Sequence, residues 1–157
     1  MTDDVSALAD ELVAARGDFL SALESLDVGR GDERALIGEW GLRELIAHLG
    51  YWAGHAVESI HAVETGRAEE FGADRRAVDH VNATVARVAR QADLPTVRKR
   101  EAATIEALLE RLRAMDPSLL GTALPHHGIT LEQGLREDGA AHYREHTDDL
   151  RAALAGR

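Results

Sequence analysis

Apolar residues fall into stretches that repeat about every 3.6 positions, the period of a helix face, separated by segments where the period is lost. From Asp3 to Leu26, the residues Val5, Leu8, Leu12, Ala15, Phe19, Leu23 and Leu26 recur at steps of three and four, which predicts a first helix. A second stripe, Leu42, Leu45, Ile46, Leu49, Trp52, Ala53, Ala56, Ile60 and Val63, predicts a helix from about Gly41 to Glu64 with Gly66 as its stop. A third helix is expected to open near Ala73 and to run through Val78, Val81, Val85 and Val88 until Leu94-Pro95 interrupts it. The pattern resumes through Val97, Ile105, Leu108, Leu109 and Leu112. The last helix is expected as one element from about Leu131 to Leu154, capped by Thr130, with Leu131, Leu135, Gly139, His142, His146 and Ala153 along one stripe.

Two intervals carry no period. Asp27 to Trp40 contains Gly29, Gly31 and Gly38, and Met115 to Ile129 contains Asp116-Pro117, Gly121, Pro125 and Gly128; both read as long connections. The expected fold class is therefore all-α. At 157 residues, the chain has the length of one ordinary domain, and one domain over residues 1–157 is expected. Apolar residues make up 45% but aromatics only 4%, so the core has to be built from Ala, Leu and Val, which suits closely packed helices.

Charge and cysteine content narrow the chemistry. A formal net charge of -10 repels a phosphate backbone, so no nucleic-acid partner is expected. The chain has no cysteine, which removes disulfides, thiolate ligands and a Cys nucleophile, so any metal is held by nitrogen and oxygen. The acidic start, MTDDVSALADEL, lacks the order of a secretory signal, and no run approaches the roughly 18 apolar residues of a membrane span. No membrane partner and a cytoplasmic location are expected.

Eight histidines make an i,i+4 pair a weak signal by itself. Its placement carries more weight. His142 and His146 share the face that also carries Leu131 and Leu135, so both imidazoles are expected to point inward. Two neutral imidazoles there are well placed to share one divalent ion. His48, flanking the stripe of the second helix near Leu45 and Trp52, is the candidate third ligand; His55, two turns on, lies too far away to join it. Buried histidines satisfied by carboxylates would leave the same pattern. Asp149 and Glu145 border the pair and can orient an imidazole or accept a proton, with Asp149 the better candidate. Asn82 falls in the stripe with Val78, Val81 and Val85, where its amide needs a partner and can touch a substrate or cap a loop carbonyl. Trp40 and Trp52, with Tyr51, bring rare aromatic surface near His48, either as core anchors or as substrate contacts. His61 and His80 read as surface residues, and His126-His127 as exposed loop residues able to line a pocket mouth.

The segment GEWGLRELIAHLGYW resembles the second-helix signature of DinB/YfiT-like proteins, HYREHTDDL resembles their terminal HxxxH, and VDHVNATVARVARQADLPTVRKREAATIEALLERL is similar to the middle helices of DinB-like and maleylpyruvate-isomerase N-terminal families. This resemblance implies a four-helix bundle with long crossover loops, commonly a homodimer. It also implies that His48, His142 and His146 hold a divalent transition metal (nickel, zinc, manganese or iron), with water completing the shell. The activities it implies are thiol-dependent S-transferase or isomerase chemistry on small electrophiles, using mycothiol, bacillithiol or glutathione. A metal-dependent hydrolase, or a non-catalytic bundle that binds a small molecule or partner, is the alternative. Richness in Ala, Arg and Gly fits a GC-rich genome, for which mycothiol is the expected thiol.

Overall fold

The computed structural model describes residues 3–26 and 33–156. Six α-helices are present among them: α1 (Asp3–Glu24), α2 (Leu42–Glu64), α3 (Val78–Ala89), α4 (Leu94–Ala114), α5 (Leu131–Asp138) and α6 (Ala140–Ala155). The protein is an all-α bundle. Its rods are α1, α2, α4 and the consecutive pair α5 and α6, with the most extensive packing between α2 and α4 and between α1 and α6. The short α3 lies against α2.

The apolar stripes read from the sequence form this core. Leu8, Leu12 and Phe19 of α1, Leu45, Leu49 and Ile60 of α2, Ile105 and Leu108 of α4, and Leu131, Tyr143 and Leu150 of α5 and α6 are all buried in one cluster. Burial of this kind supplies most of the stability of helices whose intrinsic propensity is modest. Small residues set the spacing: a Cβ added to Gly50 of α2 would stand 3.3 Å from the Glu101 Cα of α4, so glycine lets the two backbones close up.

One buried carboxylate ties three rods together. Arg16 of α1 donates from Nε and Nη2 to Glu101 of α4 at 2.8 and 2.9 Å, and the Tyr143 hydroxyl of α6 donates to the same Glu101. Burial, reinforced by the negative charge of Glu101, pushes the Tyr143 hydroxyl well above its ordinary range, so it keeps its proton and remains a donor. Glu44 makes a second tie. It accepts from the Gly41 N–H at the start of α2 and from Arg90 Nε at the end of α3, at 3.1 and 2.9 Å.

Four expectations need correction. The last helix is not one element: it breaks at Gly139 into α5 and α6. The third helix starts at Val78 rather than near Ala73, and its stripe is only partly covered, because it packs on α2 through Ala86 and Ala89 and no further layer covers Val78 and Val88, which are about half exposed. Pro95 does not merely interrupt a helix. It sits in the first turn of α4, where a missing N–H costs nothing, behind the Asp93 cap that accepts from the Thr96 N–H. The second long connection is structured, with a 3-10 helix over Pro117–Gly121 and a small antiparallel pair, β1 (Ala123–Leu124) and β2 (Ile129–Thr130). The buried side chains of Leu120 and Leu124 anchor that segment to the core. In the first connection, residues 27–32 lie outside the described residues. Past them, Leu36 is buried and a tight turn pairs Ile37 with Trp40 across Gly38, whose φ of +59° favours glycine.

Urea unfolding tests the Glu101 tie. Tyr143→Phe is expected to cost about 1–2 kcal/mol through one lost hydrogen bond to a charged group. Glu101→Ala is expected to cost about 3 kcal/mol, the low end for breaking a buried ion pair, because Arg16 keeps some contact with water. Two negligible effects would show that the network does not hold the rods.

Candidate metal centre and adjoining pocket

Three imidazoles converge between α2 and α6. His48 comes from α2, and His142 and His146 from successive turns of α6. The Nε2 atom of His142 lies 2.8 Å from His48 Nε2 and 3.1 Å from His146 Nε2. The three residues together form a group whose ligand atoms all lie within 4.8 Å of one another. The break at Gly139 belongs to this geometry. A Cβ there would stand 2.6 Å from the Leu135 carbonyl oxygen, so glycine permits the change of direction with which α6 begins, three residues before His142.

The electrostatics keep His48 and His142 neutral. Burial lowers His142 to about 3, helped by His48 and His146, and lowers His48 to about 4, helped by His146 and opposed by the Asn82 amide. Lone pairs are thus available near neutral pH, as metal ligation requires. Asp149 Oδ2 lies 3.0 Å from His146 Nδ1, an acceptor that keeps the proton on Nδ1 and turns the Nε2 lone pair inward. The expected orienting contact at Asp149 is therefore present in the geometry, whereas Glu145 is exposed on the rim.

Three facing nitrogens fit an ion better than they fit one another. A single Nε2–H on His142 can point at only one of its two neighbours, so both short contacts cannot be good hydrogen bonds. A divalent ion with ligand bonds of about 2.0–2.1 Å separates adjacent nitrogens by about 3.0–3.4 Å, close to the two separations from His142. The Nδ1 atoms of His48 and His142 are buried without a partner among the described residues. Unpaired N–H groups there cost about 1–3 kcal/mol each, well below the roughly 10 kcal/mol that structural metal binding supplies.

The triad forms the floor of an open pocket of about 430 Å³ walled by Trp40, Trp52, Val78, Asn82, Glu137 and Asp138. Trp40 stands over His48 with ring centroids 4.7 Å apart, and Trp52 donates from Nε1 to Asn82 Oδ1 at 3.0 Å. The amide of Asn82 thus finds its partner in an indole at the pocket wall, and both tryptophans line the pocket, Trp40 while also packing against the core. His61 and His80 are exposed, as read from the sequence.

Sequence reasoning missed a second group beside the first. His55, correctly excluded from the triad, pairs through Nδ1 with Asp138 Oδ2 at 2.7 Å, and its ring lies against Trp52, Phe71 and His127. His55 falls seven residues after His48, on the same side of α2, and that spacing was the available signal. The partners Phe71, His127 and Asp138 are far apart in the chain and no periodic pattern links them.

A helical bundle with a candidate three-histidine metal site between two of its helices is the class of protein that this fold and geometry define. The DinB superfamily profile matches residues 11–154, spanning all three histidines, and the chain belongs to that superfamily. No curated protein and no solved structure matches it significantly. No helix among the described residues is long and apolar enough to cross a membrane.

The Gly139 break is testable. Gly139→Ala is expected to cost about 1–3 kcal/mol, the range for a forced steric shift, and to separate the NMR signals of His142 and His146 from their wild-type positions while leaving those of His61 and His80 unchanged. An alanine variant of wild-type stability would mean that the break does not need glycine.

Proposed function

We propose that the chain is a metal-dependent enzyme in which His48, His142 and His146 ligate one divalent transition ion and that it transfers a low-molecular-weight thiol to small electrophiles, or isomerises them with such a thiol. The observation that carries this reading is the convergence of three imidazoles on the floor of an open pocket. Bound there, the ion supplies Lewis acidity that lowers the pKa of a thiol or water ligand. Asp149 holds the His146 ring in its ligating tautomer. Trp40 packs on His48 and restricts water on that side, while Asn82, fixed by the Trp52 indole, presents its amide to a substrate above the floor. The lack of cysteine leaves no thiol nucleophile of the chain's own, which favours a thiol brought in from solution. Mycothiol in the cytoplasm, and a homodimeric state, go with this reading.

Elemental analysis of untagged protein supplied with nickel, zinc, manganese or iron is expected to find about one ion per chain. His48→Ala and His142→Ala should each weaken retention at least about tenfold and abolish thiol addition to electrophiles such as 1-chloro-2,4-dinitrobenzene, with the helical content unchanged. Mycothiol, bacillithiol and glutathione are to be compared, with and without metal. Protein that stays metal-free in every case sinks the ligand assignment. Turnover with water and none with a thiol replaces transfer by hydrolysis, while metal bound without either reaction leaves a binding protein. Light scattering at micromolar concentration tests the dimer, and a monomer removes that part alone.

A further inference from the structure

The chain has two tryptophans, two tyrosines and two phenylalanines, and their distribution is uneven. Phe19 and Tyr143 are in the core, edge to face. The remaining four, Trp40, Tyr51, Trp52 and Phe71, all line two adjoining cavities. A core this poor in rings, with its other rings gathered at cavity walls, calls for an explanation beyond packing.

The second cavity, about 370 Å³, lies next to the pocket above the triad and shares Trp52 and Val78 with it. Its volume is within the range of small-molecule sites. Its wall is a run of rings in contact. Trp52 meets His55 at 5.1 Å between centroids, His55 meets Phe71 at 4.9 Å and His127 at 5.3 Å, and Phe71 stacks on His127 at 4.9 Å with 22° between planes. The backbone holds this wall from behind: Gly72, at φ +81°, presses so closely on His127 that a Cβ would come within 2.3 Å of the ring. The rim charges balance, with Arg75 and Arg76 set against Glu58 and Asp74, while Glu70 is engaged by Arg67. No net charge selects the ligand.

His55 supplies the polar contact. Its Nδ1 is committed to Asp138, and in the neutral ring a proton on Nδ1 leaves the Nε2 lone pair as an acceptor. That nitrogen has no partner among the described residues and belongs to a side chain that lines the cavity. Asp138 meanwhile lines the pocket of the triad, so the pair joins the two spaces.

We propose that this cavity binds a neutral, planar aromatic small molecule carrying an O–H or N–H at the ring edge, with the ring against Phe71, His127 and Trp52 and the hydrogen donated to His55 Nε2. This ligand class deepens the metal-enzyme reading and rests on it only for the role of the ligand's other end, which the shared wall directs toward the triad. The ring subsite itself stands on the geometry of the second cavity.

Dissociation constants from ¹H–¹⁵N NMR titration of the full chain test the proposal, with 2-naphthol, its saturated analogue decahydro-2-naphthol and 2-methoxynaphthalene as probes. Expected are shifts centred on the Gly72 amide and the Trp52 indole N–H. Naphthol should bind about fivefold or more tightly than the saturated alcohol and about three- to tenfold more tightly than the methyl ether. Phe71→Leu should bring the first ratio toward one, and His55→Phe the second. Equal affinities in the wild-type protein, or shifts confined to a separate groove on the far side of Tyr51 that Ala47, Val85, Val88 and Val97 line, would overturn the proposal whether or not the variants fold. The same titration on His142→Ala, with metal content measured alongside, separates the two readings. Naphthol selectivity retained in His142→Ala that has lost its metal is expected, since the ring subsite stands apart from the triad. Selectivity in wild-type protein that takes up no metal under any supply would end the metal reading alone, and metal held by the wild type without selectivity would end this one alone.

Discussion

Helix α6 has to present two histidines to α2 and a tyrosine to the core from adjacent faces, and the interaction that sets its rotation is the buried contact of Tyr143 with Glu101. Residues 142 and 143 are about 100° apart around a helix axis. Once the Tyr143 hydroxyl is committed to a carboxylate on α4, the His142 side chain can point only toward the neighbouring α2. Arg16 neutralises the same carboxylate from α1, which makes the contact tolerable in a buried position. Three rods are thereby locked in azimuth by one acidic group, and the adjoining histidine site inherits that precision. A core made mostly of Leu, Val and Ala, which interlocks by shape but carries little orientational information, would not fix a rotation so sharply.

The second constraint acts on the imidazoles. Pushing His48 and His142 down to about 4 and 3 removes their charge at neutral pH, and with it the repulsion that would force the cluster apart. What is left is three lone-pair-bearing nitrogens in an arrangement that hydrogen bonds alone cannot satisfy. Among the described residues, Asp149 is the carboxylate that backs the set, on His146. The bundle supplies rigid positions for these groups, and the loops supply the walls: the turn over Ile37 and Trp40 brings an indole onto His48, and the hairpin connection brings His127 onto Phe71.

The candidate site and its adjoining cavity thus lie where regular packing stops. α3 covers α2 incompletely, leaving Val78 about half exposed beside both cavities, and the break at Gly139 leaves Asp138 at the end of α5 free to hold His55.

The sequence by itself determined the helices and the inward-facing pair. The three- and four-residue recurrence of Leu, Ile and Val is a local property that survives any tertiary arrangement, and the i,i+4 spacing of His142 and His146 follows from helix geometry alone. It also marked His48, because a histidine on the edge of an apolar stripe has few other places to be. Only the tertiary structure decided that His48 meets His142, that Trp52 and Asn82 satisfy one another, and that His55 belongs with Asp138, Phe71 and His127 and not with the triad. Those partners are separated by tens of residues, and their meeting depends on helix rotation and loop path, which no periodicity encodes. The break at Gly139 was hidden for a related reason: a glycine within an unbroken amphipathic pattern keeps the period on both sides, and the change of direction becomes visible only when the Leu135 carbonyl is seen to leave no room for a Cβ.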